Sequence, residues 1–198
     1  MPKIETSPFG AFALVSYVPA PLGPFLDELR KSLPGTVYPQ SHITLVPPRP
    51  LRVPLEAVSE FALEVLSRFP PFDVILGDVH HFPETNVLYL DLAVGQREVH
   101  LLHDALNEGL LAHREPFEFR PHLTIGGPVP EPDVSTLHRE ASEAWTARNG
   151  GKRFQVTEAV ALWWDPECGD AEWKRLWTKR LRSNSISRAT ASVHDRTS

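Results

Sequence analysis

The strongest constraint on what this chain can fold into is a phrase written twice. His42-Ile43-Thr44-Leu45 and His122-Leu123-Thr124-Ile125 each read histidine, aliphatic, threonine, aliphatic. Successive side chains of an extended strand point to opposite faces. Each phrase therefore predicts a strand anchored by its aliphatic pair and presenting an imidazole and a hydroxyl together on the other face. Two such strands turned towards one cleft would offer two imidazoles and two hydroxyls to a single ligand.

The surrounding pattern repeats as well. A run rich in β-formers predicts a first strand over 11–18, ended by Pro19 and Pro21. Leu22, Phe25, Leu26, Leu29 and Leu33 follow helical spacing and predict a helix over 22–33, stopped at Pro34-Gly35. The first His-x-Thr strand follows over 41–46. Pro47-Pro48-Arg49-Pro50 is expected to be an exposed loop, because proline cannot donate to a ladder. A helix over 55–68 and strands over 72–79 and 86–93 come next, with His80 to Thr85 as the connecting loop. Then the order recurs: a helix over 97–112 with Leu102, Leu106 and Leu110 on its apolar face, the second strand over 119–125, a helix over 133–148, and strands over 153–164 and 172–182. The two histidines stand 80 residues apart. A repeat of that length is a duplicated half-domain, with halves near 20–95 and 96–182 of one domain spanning 1–182. The mixture of elements predicts an α+β class. The polar stretch 183–198 lacks apolar periodicity and is expected to be disordered.

Composition narrows the functional classes. No apolar run approaches the length that spans a bilayer, and the N-terminal residues lack the charged-then-apolar pattern of a signal peptide. Cys168 is the one cysteine, which excludes an intrachain disulfide or a cysteine-rich zinc site and suits a cytoplasmic protein. A net charge of −5 argues against wrapping duplex DNA. It leaves room for a local basic cleft that takes a nucleotide or an RNA end. The chain is expected to act as a monomer.

Histidine titrates near neutrality, so it takes or gives a proton at low cost. Two of them on opposite sides of a phosphodiester divide the work: one deprotonates the attacking hydroxyl, the other protonates the departing oxygen. Threonine hydroxyls bond the non-bridging oxygens as charge builds there. The scheme needs no metal or other cofactor. Nothing in the repeat says which histidine is the acid.

The duplicated motif, its separation and the flanking phrases Ser41-His42-Ile43-Thr44-Leu45 and Arg120-Pro121-His122-Leu123-Thr124-Ile125 resemble the 2H phosphoesterase superfamily, most of all bacterial proteins called 2'-5' RNA ligase or RNA 2',3'-cyclic phosphodiesterase. The resemblance covers about residues 10–182. It implies a single bilobal domain of two pseudo-symmetric lobes, antiparallel sheets backed by helices around a central cleft. It also implies metal-independent hydrolysis, or reversible ligation, of 2',3'-cyclic or 2',5'-linked phosphodiesters, with His42, Thr44, His122 and Thr124 as the catalytic set. The same fold without turnover, as a module that holds a nucleotide or RNA end, is the alternative. Several relatives carry a basic residue shortly after the second motif, where this chain has Gly126-Gly127-Pro128. Arg120, of the same parity as His122, and Arg49, just after the first motif, are the candidate substrate-binding residues in its place. The plain alternative for each is a solvated arginine.

Other features have simpler readings. His80 and His81 are adjacent, point to opposite faces on a strand and lack ligand-spaced partners, so a loop pair is expected and not a metal site. Phe82 beside them suits either a pocket wall or the core. His100 and His103 lie opposite the Leu102/Leu106 face and are expected in solvent. Trp164, Trp173 and Trp177 are expected in the core, with Trp163 left open. Lys174, Arg175, Lys179, Arg180 and Arg182 make the last strand a charged edge strand.

Overall fold

The structure, a computed structural model, describes residues 7, 9–34, 40–131, 133–165 and 173–182. The stretch 183–198 and Cys168 lie outside the described residues. In chain order the elements are β1 (Ala11–Tyr17), α1 (Leu22–Ser32), β2 (His42–Pro50), α2 (Leu55–Leu66), β3 (Phe72–Phe82), β4 (Val87–Val94), α3 (Gln96–Leu106), a single 3-10 turn at Gly109–Leu111, β5 (His122–Gly126), α4 (Val134–Thr146), β6 (Arg153–Val156), β7 (Glu158–Trp164) and β8 (Trp173–Arg180).

The strands form two four-stranded sheets, ordered β2-β1-β7-β8 and β5-β4-β3-β6. All pairings are antiparallel. With their helices they make the α+β fold that the element pattern predicts. Each His-x-Thr strand is an edge strand of its own sheet, and β2 and β5 lie against one another where the sheets meet. The sheets are not the two sequence halves. The pair β3–β4 follows the first motif in the chain but joins the sheet of the second. The pair β7–β8 follows the second motif and joins the sheet of the first. Each repeat thus gives its motif strand to one sheet and its strand pair to the other, so neither sheet is complete without both halves.

Alternation fixes which face of each motif strand is buried. Ile43, Leu45 and Leu123 are fully buried and Ile125 is 1% exposed, while the histidines and threonines between them are half-buried. Each buried aliphatic contributes about 1.5–3 kcal/mol, and a slip of one residue would turn that set outward. The register is therefore strongly specified. The aliphatic residues join one core with Phe12 and Leu14 of β1, Leu88 and Leu90 of β4, and Leu26, Val58, Leu102 and Trp145 of the helices.

Four expectations fail for local reasons. Residues 47–50 are the end of β2, not a loop: Pro50 pairs with Ala11 and Arg49 with Phe12. An edge strand tolerates proline because one of its sides needs no ladder donor. A register break between Phe12 and Leu14 also takes up Pro47 and Pro48. His80, His81 and Phe82 belong to β3, which stays paired as far as Phe82 with Val87. The turn that follows closes at Asn86, at φ 53°, a conformation asparagine tolerates. Helix α3 stops at Leu106, and Leu110, expected on its apolar face, is exposed. Gly109, at φ +51°, starts the 3-10 turn instead. The expected strand over 153–164 breaks at Thr157, where β6 ends in the second sheet and β7 begins in the first. Among the described residues no helix is long and apolar enough to cross a membrane.

Candidate active site

The two motif histidines are held in the same way. His42 Nδ1 lies 2.8 Å from the carbonyl oxygen of Gln40, and His122 Nδ1 lies 2.6 Å from that of Arg120. A carbonyl only accepts, so each Nδ1 carries a proton and donates it. In the neutral ring this leaves Nε2 with its lone pair, ready to take a proton. Burial pushes both histidines below their ordinary value near 6.5, and the carbonyl bonds offset this in part. Arg30 and the nearby charge of His122 lower His42 further, while Asp27 opposes them. Both rings are therefore mainly neutral at pH 7. This effect of His122 on His42, with β2 packed against β5, puts the two imidazoles near one another.

The supports differ between lobes. Ser41, just before the first motif, donates its backbone N–H and its hydroxyl to Asp27 Oδ1 at 2.6 and 2.7 Å, tying β2 to α1. His42 stands edge-on to Tyr17, its register partner on β1, with centroids 6.0 Å apart. His122 instead sits against two aromatic rings. Phe82 is edge-on at 5.0 Å and Tyr89 at 5.4 Å, and those two rings stack on each other at 4.1 Å. Tyr89 pairs with Thr124 and Asp91 with His122 across the β4–β5 ladder, which puts them on the motif face.

Thr44 and His122 open onto one pocket of about 370 Å³. Its walls include Pro47 and Pro48 from β2, Phe82 from β3, and Glu115 to Arg120 from the segment that enters β5. The structure thus brings Thr44, His122 and Arg120 to one cavity and His42 close to His122; His42 and Thr124 are not in the pocket lining itself. Phe82 takes the pocket reading, not the core one. The segment 115–120 and Tyr89 carried no sequence signal beyond alternation, and only the ladder register shows that Tyr89 shares the motif face.

Arg49 is a correction. It is 1% exposed, and its guanidinium donates to Asn107 Oδ1 and the Leu111 carbonyl, both at 2.6 Å, to Glu115, and from Nε to the Pro47 carbonyl at 3.3 Å. Four of its five N–H groups are committed, so it is a buried brace of the pocket wall and not the exposed side chain expected after the first motif. Arg120 lines the pocket as an exposed side chain, 3.6 Å from Glu118. The glycines after the second motif have a steric reason. A Cβ on Gly127 would lie 2.7 Å from the Asn86 carbonyl oxygen, with φ at +95°, and one on Gly126 would lie 3.1 Å from Leu33. A basic side chain has no room there.

The remaining histidines and tryptophans sort themselves by burial. His103 is a second correction: it is 3% exposed, bonded to the Leu45 carbonyl at 2.9 Å and stacked on Phe119 at 3.6 Å. It tethers α3 to the first motif strand and to the pocket wall. His80 lies 3.8 Å from Asp91, and its ring is 5.7 Å from that of Tyr89, its ladder partner. Trp163 and Trp177 pack against the core. Trp164 and Trp173, expected in it, oppose each other on the other face of their sheet. Among the described residues no three His, Cys, Asp or Glu side chains gather as they would around a metal ion.

Comparison with known proteins agrees with this geometry. A profile of the 2'-5' RNA ligase superfamily matches residues 18–167. A Geobacillus kaustophilus protein named "Putative phosphoesterase" is 27% identical over 138 residues, covering 65% of this chain and 76% of its own. Among solved structures, Escherichia coli LigT in complex with 3'-AMP superposes with a TM-score of 0.58 at 19% identity, over 88% of this chain and 99% of that one. TT0787 of Thermus thermophilus superposes with a TM-score of 0.60 at 18% identity, over 88% and 99%. With the profile spanning most of the chain and the fold shared along its length, the chain belongs to the 2'-5' RNA ligase superfamily of 2H phosphoesterases.

Proposed function

We propose that the protein is a phosphodiesterase in which His42 and His122 act as a general base and general acid pair on 2',3'-cyclic or 2',5'-linked phosphodiesters of RNA ends or nucleotides. Water attacks phosphorus and gives its proton to the Nε2 of one histidine. The bond from phosphorus to a ribose oxygen breaks, and the other histidine protonates that oxygen. The pair ends with its proton on the opposite ring, and exchange with solvent resets it. Thr44 and Thr124 donate hydroxyl protons to the non-bridging oxygens, where negative charge grows. Ligation puts a 5'-hydroxyl in the place of water: it attacks the cyclic phosphorus and gives its proton to one histidine, and the departing ribose oxygen takes its proton from the other.

The observation that carries this reading is the matched clasp on the two rings. Each carbonyl fixes the tautomer and leaves one Nε2 per ring for proton transfer, which a pair of merely structural histidines has no reason to share. LigT, of the same fold, was solved with 3'-AMP, and a nucleotide is the ligand class proposed here. The test is incubation of purified protein with a nucleoside 2',3'-cyclic phosphate in EDTA, followed by phosphorus NMR. Ring opening to a single phosphomonoester isomer is expected. Tight binding with no product over hours would replace this reading with that of a binding module.

A further inference from the structure

A phosphodiester brings a negative charge into the cleft, and two neutral histidines do not offset it. Arg49 is spent on the pocket wall, and Arg120 faces Glu118. The first sheet supplies another cation. Thr44 pairs with Val15, Val15 with Val160 and Val160 with Thr178, so these side chains share the face that carries His42. A bulge between Ala161 and Leu162 then moves β8 along by one residue. Leu162 consequently opposes Arg175 instead of Leu176, and the bulge re-aims Arg175 onto the cleft face.

The side chain reaches back towards the motif. Its guanidinium carbon lies 5.2 Å from the centroid of Tyr17, the ring that stands edge-on to His42 at 6.0 Å. Arg175 is exposed and makes no ion pair among the described residues. Stacking on a ring holds a guanidinium in place while leaving its N–H edge open to an anion. Tyr17 stands between it and His42, so its charge lies one ring away from the first motif histidine. Further along the same face Trp164 opposes Trp173, and both are half-buried. An arginine followed by aromatic surface is what a single strand uses for its backbone and bases.

We propose that Arg175, stacked on Tyr17, binds the phosphate adjacent to the reacting one, so that the site selects an oligonucleotide end over a mononucleotide. This rests on the phosphodiesterase reading of His42 and His122. The test measures kcat and KM of wild type, Arg175→Ala and Arg175→Lys on a nucleoside 2',3'-cyclic phosphate and on a trinucleotide ending in the same group, at low and raised salt. Arg175→Ala is expected to lower kcat/KM on the trinucleotide about ten-fold, through KM. That loss is roughly five times or more the loss on the mononucleotide, and the salt slope for the trinucleotide falls by about one. Arg175→Lys, which keeps the charge, restores part of the loss. Equal losses on both substrates, or none on the trinucleotide, overturn the role of Arg175 alone. A wild-type protein inactive on both substrates overturns the phosphodiesterase reading and this one with it.

Discussion

The two motif strands carry the same His-x-Thr-x pattern and the same histidine clasp, yet their surroundings are unlike. His42 lies among charges: Asp27 and Arg30 bear on it, and Arg175 stacks on its neighbour Tyr17. His122 lies among rings, against Phe82 and Tyr89, at the mouth of the pocket. The chain beyond each motif diverges as well. After the first it continues as strand to Arg49, which is buried against Glu115. After the second it turns at two glycines that leave no space for a side chain. In the proposed reaction, duplication supplies two equivalent proton carriers, and their unequal surroundings would let a substrate bind in one orientation.

The largest effect should come from the histidines themselves. His42→Ala and His122→Ala should each lower kcat/KM on a cyclic phosphate by about 10²–10⁴. If their roles differ, a nucleoside aryl phosphodiester, whose leaving group needs no proton, will recover activity in one variant and not in the other. Equal recovery in both would erase the distinction between the two lobes. Next comes Arg49→Met. Removing one partner of a buried ion pair costs about 3–5 kcal/mol, so chemical denaturation should show a loss of that size, whereas a replacement at exposed Arg120 should cost little. Thr44→Val and Thr124→Val should each lower kcat by about 10², with a smaller effect on KM, because their bonds strengthen as charge develops. An unequal pair of losses would show which hydroxyl meets the growing charge.

The pH dependence is subtler. The productive form of the pair carries one proton. Both histidines sit below 6.5 in the free protein, so kcat/KM should follow a bell centred below pH 6.5. An optimum above pH 7 would mean that the rings are not desolvated as the fold implies. Stability should show the same sign. His42, His103 and His122 are all lowered, so near and below pH 6.5 the unfolded chain binds more protons than the folded one. Their contribution is complete above about pH 6.5 and is lost as pH falls through the folded values. His103→Gln should flatten part of that slope in thermal melts, and an unchanged slope would contradict the burial of His103.

Much of this was legible in the residues. Alternation in the two phrases names the buried pair and the presented pair on each strand, and helical spacing locates every long helix. What escaped depends on pairing between distant segments. No local signal says that β3–β4 will join β5 and not β2, because both sheets need strands of the same character. Proline content marked 47–50 as a loop, since the cost of a missing donor depends on whether the strand is at an edge, and edges are set by topology. Polar character placed Arg49 and His103 at the surface. Both are buried because partners far along the chain, Glu115 and Asn107 for the arginine and the Leu45 carbonyl for the histidine, satisfy them there. Arg175 faces the cleft only because of a bulge, and strict alternation gives no sign of one.

The proposed chemistry requires His42 and His122 to work as one unit. The most direct measurement is the rate of opening of a nucleoside 2',3'-cyclic phosphate in EDTA by wild type, each His→Ala variant and the double variant, with folding checked by circular dichroism. Groups that act together are not additive, so the double variant should be about as slow as either single one. Substantial activity in either folded single variant, or a double variant whose loss is the product of the two single losses, would contradict it.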